Sequence, residues 1–235
     1  MIRNDRARRF FGATAALIGA GLVLQLILTL TTDSDDTSFA SSGGRLVNFF
    51  CFFTVLSNIA VMVTTALLAR RLERTSTIFR VFRIVGVLGI AVTGIVFHIA
   101  LADLHELTGW DWLADRLLHL LGPILGPLGW LLYGPRRQID RRIVGLCVLP
   151  PIAWLIFTLI RGEVVQDRNG KDYYPYPFLD VQEHGYVVVL INGAVVAVLF
   201  LVLAAGMLWL DGRLADRGSE EGGSTVQRGS RPTAL

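Results

Sequence analysis

The chain has 235 residues, 53% of them hydrophobic and 17% charged, with a mean hydropathy of +0.55 and a formal net charge of +3. So apolar a composition excludes a soluble domain of this size. The basic isoelectric point, about 9.2, comes from arginines set between apolar runs and is therefore not a nucleic-acid signal.

Six apolar runs follow one another at about 10–31, 46–69, 81–101, 113–133, 143–160 and 186–210. Each approaches the roughly 20 residues that a helix needs to cross ~30 Å of hydrocarbon. The expected fold is an all-α membrane protein with six transmembrane helices over residues 1–210, followed by a Gly-, Ser-, Arg- and Glu-rich disordered cytoplasmic tail over 211–235. Arg8-Arg9-Phe10-Phe11 precedes the first run like an export signal, but the run is long and lacks a small-residue cleavage site, so it reads as the first span.

With the N-terminus inside, the inner segments carry Arg3, Arg6, Arg8 and Arg9, then Arg70, Arg71, Arg74 and Arg80, then Arg136, Arg137, Arg141 and Arg142, then Arg213, Arg217, Arg228 and Arg231. The outer segments carry Arg45, Arg116, Arg161, Arg168 and Lys171. This asymmetry predicts that both termini are cytoplasmic, and the expected location is the plasma membrane. Arg83 opens the third span and is expected to snorkel inward. Cys51 and Cys147 fall near opposite surfaces, on the order of 15 Å apart in depth, too far for a disulfide.

Polar side chains within the runs gather toward the outer surface. Thr54 and Asn58, four apart on the second span, share a face with Ser57 beside them. Thr54 lies ~12 Å below the outer boundary of a continuous helix, and His119 of the fourth span lies ~9 Å deep. His98 ends the third span, His105 follows in a loop, and His184 precedes the sixth run. Gln25 and Asn192 fall in the outer thirds of the first and last spans. A hydroxyl, an amide and an imidazole at matched depth are the parts of an activated-nucleophile site. A threonine in a membrane helix also back-bonds to its own turn, and an asparagine also ties helices together, so the same residues suit a bundle with no chemistry. The last outer segment, Tyr173-Tyr174-Pro175-Tyr176-Pro177-Phe178, reads either as a lid or as an interfacial aromatic belt.

The order Phe53-Thr54-Val55-Leu56-Ser57-Asn58, Val92-Thr93-Gly94-Ile95-Val96-Phe97-His98, His119 with Pro123, and Tyr176-Pro177-Phe178-Leu179-Asp180-Val181 resembles the bacterial "Pr six Pr" family of six-span membrane proteins. That family is remotely similar to the eukaryotic androgen-induced membrane proteins, which are intramembrane threonine hydrolases of fatty-acid esters. The resemblance implies Thr54 as nucleophile and His119 as its base. Gly129-Trp130 stands where the bacterial pattern has an acidic residue before the tryptophan, which removes any carboxylate role there.

The expected function is thus hydrolysis of acyl esters drawn from membrane lipid, without a cofactor or metal. Asn58 and then Ser57 would donate to the oxyanion, Asp115 or His98 would orient the imidazole, and Tyr176, Pro177, Phe178 and Asp180 would close over the substrate. One alternative is a lipid-binding, scaffold or transport-related bundle. Another is a metal-dependent hydrolase, since imidazole and carboxylate suit zinc, although no histidine pair has i, i+4 spacing.

Overall fold

Hydrocarbon tolerates no unpaired backbone polar groups, and the apolar runs of this chain satisfy theirs as α-helices. A computed structural model describes residues 2–33, 37–102 and 106–228, and among these there is no strand, only an isolated bridge between Gln166 and Asp172. The helices are α1 (Ile2–Thr31), α2 (Ser42–Phe49), α3 (Phe53–Arg70), α4 (Thr77–Ala100), α5 (Gly109–Asp115), α6 (Gly122–Tyr133), α7 (Arg141–Val164) and α8 (Val181–Arg228). Five segments are long and apolar enough to cross a membrane: Asn4–Thr31, Phe53–Arg70, Thr77–Ala100, Arg141–Val164 and Val181–Asp216. Gly185, at φ 73°, breaks α8 one turn after its start. The tail expected from residue 211 begins within α8, which continues to Arg228, and 229–235 lie outside the described residues.

Helix α4 is the centre of the bundle, touching α3, α6, α7 and α8 and more than half buried. Small residues set its approaches. A Cβ on Gly94 would stand 2.5 Å from Pro123 Cβ, so only glycine lets α4 meet the start of α6 this closely.

Two runs depart from continuous helices. The second breaks at Phe50–Phe52, because the Cys51 carbonyl is taken by the Trp154 indole at 2.9 Å and Phe52 turns extended. Thr54 therefore stands in the first turn of α3 and not two turns inside a continuous span. The fourth runs from Gly109 to Tyr133 through a π-helical stretch, Arg116–Leu121, that carries His119. Pro123 has no N–H, and the Gly122 N–H bonds back five residues to the Leu117 carbonyl. The Leu118 carbonyl is thereby left without a donor on its own helix.

Arg83 does not snorkel. It is 2% exposed, its guanidinium bonds to the Gly134 carbonyl, and it faces the equally buried Asp211, which accepts from the N–H groups of Gln138 and Ile139 at 2.9 and 3.1 Å. The loop before α7 is tied further by Arg80, which bonds the Gln138 carbonyl and the Asp140 carboxylate, both at 2.7 Å. Asp140 also caps α7 by accepting from the Ile143 N–H at 2.9 Å. That N–H first, and Arg80 second, hold its carboxyl below the usual range. Cys51 and Cys147 are both buried and unpaired.

Candidate functional site

A cavity of about 270 Å³ opens between α3, α4, α7 and α8 under the 3₁₀ turn Pro177–Leu179. Its walls are almost wholly apolar: Phe53, Val96, Phe97, Leu155, Val196 and Phe200 are typical. The polar groups on its lining are few, chiefly the hydroxyls of Thr54, Thr93 and Tyr176. A volume near the lower end of small-ligand sites, about 300–1,000 Å³, suits part of a long chain with the remainder in lipid.

Thr54 and Tyr176 meet because of the break before α3. The first N–H groups of a helix have no partner within it, and the residue before α3, Phe52, has no side chain able to cap them. The Tyr176 hydroxyl supplies that cap from the last outer loop, accepting from the Thr54 N–H at 3.4 Å and also from Phe53. The Thr54 hydroxyl bonds to the same phenol. Burial pushes the Tyr176 phenol above its ordinary pKa, against the lowering effect of these bonds, so it remains a neutral O–H. Its ring packs edge to face on Trp154, 5.7 Å between centroids.

His119 has a carboxylate partner. Asp115, 5% exposed, places Oδ1 2.8 Å from His119 Nδ1, one helical turn earlier. Such a contact fixes the proton on Nδ1 and leaves Nε2 as the acceptor. The imidazole stacks flat on Phe97, centroids 4.0 Å apart and planes 10° apart. Phe97 also lines the cavity, whereas His119 does not. Among the described residues no hydrogen bond joins Thr54 to His119.

The other expected site residues are placed differently. Asn58 is fully buried and donates its amide to the Thr54 carbonyl at 2.9 Å and the Leu118 carbonyl at 3.3 Å. Both amide protons are thus engaged, and the expected oxyanion donor is instead a brace between α3 and the π stretch. Ser57 packs on α4, where a Cβ on Gly89 would lie 2.6 Å from its hydroxyl, and it does not line the cavity. His98 turns away, exposed, with Nδ1 on the Gly94 carbonyl of its own helix at 2.7 Å, so Asp115 alone pairs with His119.

Of the expected lid, Tyr176 and Phe178 line the cavity and Pro177 starts the 3₁₀ turn, exposed. Asp180 does not close over the cavity; its carboxylate accepts from the N–H groups of Gln182 and Glu183 at the start of α8. Asn192 holds the Phe178 carbonyl at 2.9 Å. His184 is exposed beside Glu183, and His105 lies outside the described residues. Among the described residues no three His, Cys, Asp or Glu side chains converge as metal ligands.

Sequence reading missed Trp154 and Phe97 as site residues and took Tyr176 for a lid. No local signal marked them: the helix start at Phe53, with no capping side chain before it and a remote hydroxyl filling the gap, is visible only in the fold. Comparisons of the chain with protein-family models, with curated proteins and with solved structures find no match, so the family resemblance stands on its motifs alone.

Proposed function

We propose that this chain is a six-span plasma-membrane protein with both termini cytoplasmic, the stretch 109–133 being its fourth span, and that its cavity takes the acyl chain of a membrane lipid ester for hydrolysis. The observation that carries this reading is a hydroxyl–phenol pair in an apolar cavity, one aromatic ring away from a half-buried His119 that is paired with the buried Asp115.

In this reading the Thr54 hydroxyl oxygen attacks the ester carbonyl while its proton passes to His119 Nε2. The alcohol leaves with that proton, giving an acyl-threonine. Water then attacks with its proton taken by the same nitrogen, which returns it to the Thr54 oxygen as the fatty acid departs. The Tyr176 O–H, kept neutral by burial, takes the oxyanion role that Asn58 has no proton left to fill. Asp115 holds the imidazole. Phe97 has to swing aside for His119 to reach the cavity, and substrate entry supplies the occasion.

The second reading, a lipid-binding protein without chemistry, is favoured by Phe97 standing against the imidazole with no bond between Thr54 and His119. A fluorophosphonate probe applied to membranes separates them. Hydrolysis predicts labelling of the wild type and of His184→Ala, none of Thr54→Ala, and labelling slowed about 10²-fold or more in His119→Ala. Equal labelling of all four, or of none, leaves only the lipid-binding reading.

A further inference from the structure

Buried arginines elsewhere in this bundle are partnered: Arg83 donates to the Gly134 carbonyl, and Arg45 to the carbonyls of Ala40 and Leu30. Arg161, in the last turn of α7, is the exception. It is 8% exposed, and among the described residues none of its five N–H donors reaches an acceptor and no carboxylate lies within ion-pair distance. The nearby Glu163 is engaged by two phenols, Tyr174 at 3.0 Å and Tyr186 at 2.8 Å. What holds Arg161 is aromatic: its guanidinium lies over Phe39 and Tyr173, 5.6 and 5.5 Å from the ring centroids.

A guanidinium held by its face keeps its planar fork of donors for a carboxylate or phosphate. Burying that charge without a partner is unfavourable, and an arriving anion removes the penalty. The position fits the cavity. Arg161 is seven residues beyond Trp154, hence on the same face of α7 about 10 Å further along the axis. Trp154 lines the cavity. Chain site and cation therefore share one helix face.

We propose that Arg161 is the head-group site of this protein, binding the oxyanion, carboxylate or phosphate monoester, of the amphiphile whose chain fills the cavity. The proposal rests on the acyl-chain reading above and not on the chemistry assigned to Thr54.

The test uses the full chain in detergent and two pairs of non-hydrolysable probes that differ only in the anion: palmitate against cetyl alcohol, and an ether-linked lysophosphatidate against the corresponding alkyl glycerol. Wild type is expected to bind at least one anionic probe about tenfold or more tightly than its neutral twin. Arg161→Gln erases that preference with the neutral twin unchanged, and the pair that shows it assigns carboxylate or phosphate. Arg161→Lys keeps the charge without the fork and retains part of the preference, which decides the matter should the glutamine variant elute as aggregate. A wild type that binds both twins alike, or a preference untouched in either variant, overturns the head-group assignment while the cavity reading survives. Binding of none of the four probes overturns the acyl-chain reading and the head-group site with it.

Discussion

Asn58→Ala tests the claim that this residue is a brace and not a catalytic donor. Asn58 is fully buried, and its amide spans the Thr54 carbonyl at 2.9 Å and the Leu118 carbonyl at 3.3 Å. The Leu118 carbonyl needs that donor because Pro123 and the π stretch leave it none on its own helix. Two hydrogen bonds at a net 0.5–1.5 kcal/mol each make about 2 kcal/mol, and a bared carbonyl adds about another 2. Against this, Asn58 Oδ1 has no partner, and removing it relieves about 2 kcal/mol of desolvation. The expected loss is about 2 kcal/mol, or about 4–8 °C in the unfolding midpoint of a chain this size. The five tryptophans give a fluorescence signal for thermal unfolding in detergent. The decisive comparison is a double-mutant cycle with Pro123→Ala, which restores an N–H to α6. If Leu118 is the reason for Asn58, then Asn58→Ala costs about 1 kcal/mol less in that background. Losses that add to within about 0.5 kcal/mol would refute the reasoning.

Tyr176→Phe removes the remote cap of α3 and is expected to cost about 1 kcal/mol, with faster hydrogen exchange at the amides of Phe53 and Thr54; unchanged exchange there contradicts the capping role. Gly162→Ala puts a Cβ 2.0 Å from Tyr174 Cε1 and must displace that ring from α7, costing about 1–3 kcal/mol by thermal unfolding, while Gly145→Ala, whose Cβ meets nothing within 4 Å, is expected to be neutral or better. Asp140 has a folded pKa below its unfolded one, so its contribution is present at neutral pH and is lost as pH falls below about 4. Asp140→Asn should therefore lower the unfolding midpoint near neutrality and converge with wild type on acidification; a gap that widens in acid would show that the carboxylate is not the stabilising form.

What the sequence displayed was local. Apolar runs of spanning length announce helices, and the four-residue spacing of Asp115 and His119 puts both on one helical face, from which the 2.8 Å contact follows. The break before Thr54 was hidden because Phe49 to Phe53 is as apolar as the helix after it. Its cause, the Trp154 indole on the Cys51 carbonyl, lies more than a hundred residues along the chain, as does the Tyr176 cap. Arg83 was equally illegible. Its position near a helix start suits snorkelling, and only the approach of Asp211 and the Gly134 carbonyl makes an interior place tenable. Asp180 read as a lid because its neighbours are aromatic, although an aspartate just before an apolar run is also the ordinary signature of a helix cap.

The same comparison sharpens what is left over for chemistry. Two helices are interrupted side by side, α3 at its start and the 109–133 stretch before Pro123, and each interruption strands backbone groups that hydrocarbon cannot solvate. Asn58 and Tyr176 repair those two faults, one donating to carbonyls and the other accepting from N–H groups. Much of the polar clustering that looks like an active site is thus the cost of the breaks. Once those bonds are assigned, the polar functions at the candidate site that no backbone repair uses are His119 Nε2, backed by a buried carboxylate, and the Thr54 hydroxyl, which bonds the Tyr176 phenol. Neither is needed to complete a helix. A bundle that required polar residues only as glue has no use for Asp115 at 5% exposure beside an imidazole, since an apolar pair of the same volume would pack there without desolvating a charge. The Asp115–His119 pair is therefore the feature that repair of the backbone does not explain, and it is the reason the hydrolytic reading ranks above the purely lipid-binding one.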